Sequence, residues 1–93
     1  MMSVTAQFHG LLADWIGTPS ASFHLFPNAP LADLMAEIGR RFRPKMPDQL
    51  WDDENNIFKG KVLAVGPNGI PKSLKDLLTD GEEIKFFIMM AGG

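Results

Sequence analysis

The residues best suited to carry chemistry stand at the end of the sequence, which reads Ala91-Gly92-Gly93 directly after an apolar run from Ile84 to Met90. Two successive glycines have no side chains and reach backbone angles that are closed to other residues. Such a segment can enter a narrow active site and present the carboxylate of Gly93 to a reagent there. The alternative is an ordinary floppy terminus, since chain ends are often poorly ordered.

Composition excludes several classes of function. The 93 residues contain no cysteine, which removes disulfides, thiolate metal sites and cysteine nucleophiles and suits a reducing cytoplasm. A formal net charge of −2 gives no basic footprint for nucleic acid. The first residues lack the pattern of a signal peptide, and no apolar run approaches the ~18 residues of a membrane span. We therefore expect a cytoplasmic protein with a single domain over residues 1–93, whose last residues, from about 90 to 93, form a flexible tail.

The elements that must position this tail begin with two strands. Alternation of apolar and polar residues predicts one strand from Val4 to Phe8 and a second from Ser20 to Phe26. The apolar segment from Leu11 to Ile16 between them is predicted to be part of a wide hairpin connection. After the second strand, Asn28 is a candidate cap for a helix.

The clearest pattern is a helical stripe in the middle of the chain. Apolar residues recur at i, i+3, i+4, i+7 and i+11, which places them on one helical face, and Pro44 and Pro47 prevent continuation of the helix. The stripe consists of Leu31, Leu34, Met35, Ile38 and Phe42. We expect this face to pack on one side of a sheet, with Trp15 and Trp51 as packing anchors at the rims of the core.

The second half of the chain supplies the remaining strands. After a loose stretch with a helical turn beginning at Pro47, a short strand is predicted from Lys61 to Val65, followed by a turn at 66–69. Residues 73–78 read as one more helical turn. The last strand is predicted from Glu83 to Met89, with β-favouring side chains.

This order of elements predicts the fold. A right-handed crossover through the helix favours parallel pairing of the first and last strands at the centre of the sheet. The last strand is apolar on both faces at Phe86 and Phe87, as expected for a central strand that is covered on more than one side. The sequence therefore predicts an α+β protein with a β-grasp (ubiquitin-like) fold, a mixed sheet wrapped around one main helix.

Over its whole length the chain resembles the MoaD/ThiS family of ubiquitin-like sulfur carriers, which includes the molybdopterin synthase small subunit and the thiamine-pathway carrier. The resemblance rests on the first strand, on Leu63-Ala64-Val65-Gly66, and on Leu78-Thr79-Asp80-Gly81-Glu82-Glu83-Ile84 leading to Gly92-Gly93. The turn motif and the terminal glycine pair together are fairly specific for this family, whereas the motif alone or the glycine pair alone is weak evidence.

The resemblance implies a function for the tail. An adenylating partner of the ubiquitin-activator type uses ATP to join AMP to the carboxylate of Gly93, and a sulfur donor then leaves a thiocarboxylate there. AMP and then sulfur are thus attached covalently and transiently to Gly93, and the resemblance implies no permanently bound cofactor or metal. Gly92 and Ala91 give the tail access to the partner's tunnel. The chain is then a carrier and not an enzyme, and the large catalytic subunit of molybdopterin synthase, or an equivalent sulfur acceptor, receives the tail.

Docking to such partners needs an apolar surface near the tail. Met89, Met90 and Phe87 are the candidates, because methionine adapts to irregular surfaces and alternation turns at least one of the two methionines outwards. Closure of the core by both methionines is the alternative. His9 and His24 are expected to face solvent, and Asp52-Asp53-Glu54 is expected to be a solvated loop.

Several functions remain open at this point. Molybdopterin synthesis is the leading pathway, and the thiamine pathway or another thiocarboxylate route is the alternative within the same mechanism. A ubiquitin-like protein modifier would use the same glycine to form isopeptide bonds. A non-covalent β-grasp interaction module would not use the tail at all.

Overall fold

The computed structural model of the protein describes residues 1–89, and Met90 to Gly93 lie outside this description. No helix in the described part is long and apolar enough to cross a membrane. The strands of residues 1–89 are β1 (Met2–Phe8), β2 (Ser20–Leu25), β3 (Trp51–Asp52), β4 (Ile57–Phe58), β5 (Val62–Val65) and β6 (Glu83–Ile88). The helices of this part are α1 (Leu11–Ile16) and α2 (Leu31–Phe42). Two 3₁₀ turns cover Arg43–Lys45 and Pro67–Gly69.

Four strands form one mixed sheet with the order β2-β1-β6-β5. β1 pairs antiparallel with β2, and β5 pairs antiparallel with β6. The two central strands run parallel, with Ala6 opposite Ile84 and Phe8 opposite Phe86. β3 and β4 form a separate antiparallel pair. A mixed sheet around one main helix is the β-grasp fold, so the predicted fold and its central parallel pairing are confirmed.

The core lies between the inner face of the sheet and α2. All five residues of the predicted helical stripe are buried, as are the four inward-facing residues of β1 and, in β6, Ile84 and Phe86. The ring of Phe42 makes edge contacts with Phe8 at 6.0 Å and with Phe23 at 6.4 Å between centroids. Aromatic contacts of this kind add to the burial of apolar area, so the end of α2 is fixed on the sheet by three rings.

The β3–β4 pair closes the core beside α2. Trp51 is buried, and its indole lies edge-on to Phe58 at 5.0 Å. On its other side the indole touches the backbone of α2 at Gly39, where a Cβ atom would lie 2.6 Å from a carbon of the Trp51 ring. Glycine is required at this position because the indole occupies the space of a side chain.

The turn that precedes β6 is bound to the start of β1. The amide of Gly81 donates to the carbonyl of Ser3 at 2.7 Å, and the amide of Ser3 donates to the Asp80 carboxylate at 2.8 Å. The amide of Thr5 then donates to the carbonyl of Glu82 at 3.0 Å. Gly81 has φ 82°, a conformation that favours glycine. These bonds fix the position of β6 along β1.

Glu82 is the buried charged residue of this turn. One carboxylate oxygen accepts from the amide and the hydroxyl of Thr79 at 2.9 and 3.1 Å, and the other lies 2.8 Å from Nζ of Lys72. Burial raises the pKa of Glu82, but the interactions with Lys72 and Thr79 outweigh it, so the pKa lies below its ordinary value. The ion pair ties the segment before β6 to the core.

Some local predictions were incomplete or wrong. The wide hairpin connection between β1 and β2 is confirmed, but within it residues Leu11–Ile16 form a helix that was not predicted, because Leu12 and Ile16 bury one side of it and Gly17 ends it in the left-handed conformation, φ 94°. Asn28 does not cap α2; it has φ 66° in the turn before the helix, and Pro30 stands at the N-cap position.

In the described residues, neither the segment after Pro47 nor residues 73–78 forms the helical turn that was predicted for it. After Pro47 a hydrogen-bonded turn leads directly into β3, since the amide of Leu50 donates to the Pro47 carbonyl. Residues 73–78 form a turn in which the amide of Ser73 donates to the Asp76 carboxylate. A short acidic side chain that accepts a hydrogen bond from a nearby backbone amide competes with the helical hydrogen bonds, and this favours a turn over a helix.

We expect Gly39→Ala to lower the free energy of unfolding by about 1–2 kcal/mol, because the overpacking cost against the indole exceeds the gain in helix propensity. Urea denaturation measures the change. In a Trp51→Phe background, which removes the indole atoms nearest to Gly39, the same substitution should cost less. A variant Gly39→Ala as stable as the parent would contradict the close contact.

We expect Glu82→Gln to lower the free energy of unfolding by about 1–3 kcal/mol at neutral pH, because Lys72 loses its charged partner in the core. The folded pKa of Glu82 lies below 4.5, so the carboxylate's contribution is present above that pH and is lost as the pH falls through the folded pKa. The difference in the free energy of unfolding between the parent and Glu82→Gln should therefore become smaller as the solution is made acidic.

The control for this prediction is Glu54→Gln, which removes a carboxylate from an exposed loop and should leave stability unchanged. If the difference in the free energy of unfolding between the parent and Glu82→Gln stayed constant from neutral pH to strong acid, the ion pair of Glu82 with Lys72 would not be the cause of that difference.

Candidate functional site

The candidate site is the C-terminal end of β6. After Ile88, the amide of Met89 donates to the carbonyl of Lys61 at 2.6 Å, so the chain stays beside β5 up to the last described residue. The side chain of Met89 is 53% exposed. The predicted reacting residue Gly93 and the predicted access residues Gly92 and Ala91 lie outside the described residues, as does Met90, and their roles remain predictions.

The outward-facing side of β6 changes from charged to apolar towards this end. Its first outward residues are Glu83, whose carboxylate accepts from the side-chain Nε2 of Gln7 at 2.8 Å, and Lys85. Phe87 and Met89 follow on the same side, since residues two apart in a strand share a face. The change places the apolar part of this face next to the tail.

Phe87 is the centre of an apolar patch. Its ring stacks on His9 at 4.5 Å with 14° between the planes, and on the other side it stands opposite Leu63 of β5. Phe87 and Leu63 are half-buried, while the neighbouring Phe86 points into the core. We call His9, Leu63, Phe87 and Met89 the tail-side patch. The tail-side patch is therefore a candidate docking surface.

A groove on the opposite side of the strand end was not predicted. It has a volume of about 370 Å³ and lies between Trp15 of α1 and the segment that leads into β5, with Ile88 in its lining. The predicted anchor Trp51 is buried, but Trp15 is 40% exposed and forms one wall of this groove. The groove joins residues that are far apart in the sequence, so no local pattern could reveal it.

The histidine and carboxylate side chains of residues 1–89 form no group of three or more that could hold a metal ion. His9 and His24 are exposed, as predicted. In the acidic loop, Asp53 pairs with Arg43 at 2.8 Å, and the hydrogen bond from Asn55 holds the pKa of Asp52 below its usual range. Asp53 is thus paired with the 3₁₀ turn after α2, and Asp52 is bonded within its own loop.

The architecture is that of the ubiquitin-like β-grasp proteins, and solved structures with the same fold confirm this. Small archaeal modifier protein 1 from Haloferax volcanii superposes with a TM-score of 0.80 at 18% identity, over 98% of this chain and 99% of that protein. A putative molybdopterin converting factor subunit 1 from Pyrococcus furiosus gives a TM-score of 0.74 at 19% identity, over 97% and 100%.

A third similar structure is Urm1 from Trypanosoma brucei, with a TM-score of 0.70 at 19% identity over 98% of this chain and 95% of that protein. No protein-family model matches the chain, and no curated protein matches it. The structural neighbours thus share the fold that the sequence resemblance implied, and they include a putative molybdopterin converting factor subunit 1. At these identities the likeness establishes the fold.

We expect the neighbouring substitutions Phe87→Ala and Phe86→Ala to differ sharply. Phe86 is fully buried, so its truncation should cost about 3–5 kcal/mol. Phe87 lies on the outer face, so its truncation should leave the chain folded and cost about 1 kcal/mol, mainly the stacking on His9. Thermal unfolding followed by circular dichroism measures both. Equal losses would contradict the assignment of Phe87 to an outward-facing patch.

Proposed function

We propose that this protein is a ubiquitin-like sulfur carrier whose tail carries sulfur on the carboxylate of Gly93. The observation that supports this most is the course of the chain at the end of β6. A central strand of a ubiquitin-like fold ends beside an apolar patch at the exposed Met89, and in the sequence only Met90 separates Met89 from Ala91-Gly92-Gly93. The four residues beyond Met89 span at most roughly 14 Å, enough to enter a partner's pocket.

The proposed chemistry has two steps, both within partner active sites. A carboxylate oxygen of Gly93 attacks the α-phosphorus of ATP, pyrophosphate leaves, and a mixed anhydride with AMP forms. A sulfide-level sulfur donor then attacks the carbonyl carbon, the C–O bond to AMP breaks, and a thiocarboxylate remains. The first step is needed because a carboxylate is a poor electrophile. The carrier supplies the reacting atom, and the partners supply catalysis.

The partners are an adenylating enzyme of the ubiquitin-activator type and an enzyme that accepts the sulfur. The tail-side patch supports docking next to the tail, because Phe87 and Met89 offer apolar area at the point where the chain enters the partner. Met89 suits contact with two different enzymes, since its unbranched side chain adapts to irregular surfaces.

For the pathway we propose molybdopterin synthesis, with a large catalytic subunit of molybdopterin synthase as the acceptor. One of the similar structures is a putative molybdopterin converting factor subunit 1, and the likeness extends over nearly all of both chains. The thiamine pathway shares the carrier mechanism and differs only in the acceptor enzyme.

The test is the intact mass of the protein after incubation with an adenylating enzyme of this class, ATP and sulfide. We expect a gain equal to the exchange of one oxygen for sulfur, mapped to Gly93. Deletion of Gly93, or one alanine added after it, should abolish the gain without changing thermal stability, because the buried core residues of the described chain end at Phe86. The matched control is Gly69→Ala, a glycine change in a distant exposed turn, which should still gain sulfur.

Two further outcomes decide against the proposal. A chain without Gly93 that still gains sulfur would show that another group accepts it. Absence of any gain with several active adenylating enzymes would favour an interaction module. The intact mass of the protein isolated from its own cells checks that Gly93 is its last residue, as the chemistry requires.

A second candidate function is that of a protein modifier, because one of the similar proteins is named small archaeal modifier protein 1. It shares the adenylation step, but a lysine amine and not sulfur attacks the activated carbonyl. Denaturing gels of native lysate probed for this chain separate the two functions. Adducts of higher mass that require Gly93 would support a modifier, and a single band at the mass of the free chain would support a carrier alone.

A further inference from the structure

The groove next to the end of β6 is an apolar depression with a basic rim. Its apolar lining includes Trp15, Leu50, Val62 and Ile88. The lining also includes Lys59 and Lys61, on either side of Gly60, and because both lysines are exposed they form the rim. We call this the Trp15 groove. Its size accommodates one or two apolar side chains of a protein segment.

Both walls of the Trp15 groove are fixed by the fold. The helix that carries Trp15 is anchored by the fully buried Leu12 and Ile16, and the amide of Gly17 closes its last turn on the Ala13 carbonyl at 2.8 Å. On the other side, the amide of Lys59 donates to the carbonyl of Leu50 at 2.7 Å. The groove is therefore preformed and needs no rearrangement to accept a side chain.

The charge at the rim is opposite to that of the chain as a whole, which has a formal net charge of −2. Lys61 is exposed and forms no ion pair with any carboxylate of residues 1–89. Lys59 is also exposed and lies close enough to Asp48 and Asp52 to interact with both carboxylates. The rim thus offers at least one lysine without a partner in the described chain, which favours an acidic occupant.

The Trp15 groove is continuous with the place where the tail leaves the fold. Ile88 lies in its lining, and the amide of Met89 is bonded to the carbonyl of Lys61 at the rim. The tail-side patch lies on the other face of the same strand. A partner that takes up the residues beyond Met89 must therefore approach the groove and the patch together.

We propose that the Trp15 groove is a docking site for an apolar side chain carried between carboxylates on a segment of the partner that takes up the tail. This inference rests on the proposed function, because that function supplies the partner. The apolar side chain lies against Trp15 and Ile88, and the flanking carboxylates lie near Lys61 and Lys59. The partner then holds the end of β6 from both faces.

The probe is a blocked pentapeptide with a central leucine between two aspartates on each side, titrated into the ¹⁵N-labelled full chain and followed by NMR. We expect saturable shifts of the Trp15 indole N–H and of the amide of Lys61. A peptide with lysines in place of the aspartates should not shift them, and one with a central alanine should bind more weakly. Shifts confined to other surfaces, or none at all, would overturn the proposal.

Two substitutions of the same type sharpen the test. Lys61→Glu reverses a charge at the rim and should weaken binding about five-fold or more, since exposed pairs contribute up to about that factor and reversal adds repulsion. Lys75→Glu makes the same change on an exposed turn that does not line the groove and should leave binding unchanged. Equal effects of both would show that only the net charge matters and would overturn the proposal.

Other occupants give different results. If the chain's own residues after Met89 fill the groove, a chain ending at Met89 shows shifted Trp15 signals before any peptide is added. If a second copy fills it, the Trp15 signals change with dilution and Lys61→Glu alters the sedimentation coefficient. Either result overturns the proposal. Peptide binding needs neither ATP nor Gly93, so its failure is distinguishable from failure of the sulfur-loading experiment.

Discussion

The parallel pairing of β1 and β6 is the constraint on which the rest of the structure depends. The two strands come from opposite ends of the sequence, and the turn before β6 fixes how they align, through the bonds of Ser3 with Asp80 and Gly81. A shift of one residue would turn Ile84 and Phe86 away from the core, because side chains alternate between the faces of a strand. The same shift would move the end of β6 relative to α1 and β5.

This constraint gives a physical reading of the turn motif that carried the family resemblance. The Asp80 carboxylate accepts a hydrogen bond from the amide of Ser3, and Gly81 adopts the left-handed conformation that the turn requires. The Glu82 carboxylate accepts a hydrogen bond from the amide of Thr79 and forms an ion pair with Lys72. None of these residues faces the end of β6. The motif therefore acts on the tail indirectly, by fixing the register of the strand that leads to it, while the reacting atom of the proposed chemistry lies beyond the motif.

The sequence predicted the parts of the fold that repeat over several turns or strand residues. The stripe of α2 is defined by five apolar positions, β1 by alternation and β6 by a run of β-favouring side chains, so these elements were correctly predicted. α1 was missed because it has six residues, too few to show a helical period, and it is stabilised by burial of Leu12 and Ile16 more than by propensity. Asn28 was misassigned because an asparagine before a helix also fits a left-handed turn.

The surfaces around the candidate site were only partly predictable. Phe87 could be placed by alternation, but its stacking on His9 depends on the parallel register, and the exposure of Trp15 depends on how α1 packs. The tail-side patch and the Trp15 groove flank the same few residues of β6 on opposite faces. A partner that covers both surfaces leaves no room for a second partner. If the activating and accepting enzymes of the proposed function both dock there, they bind the carrier in turn.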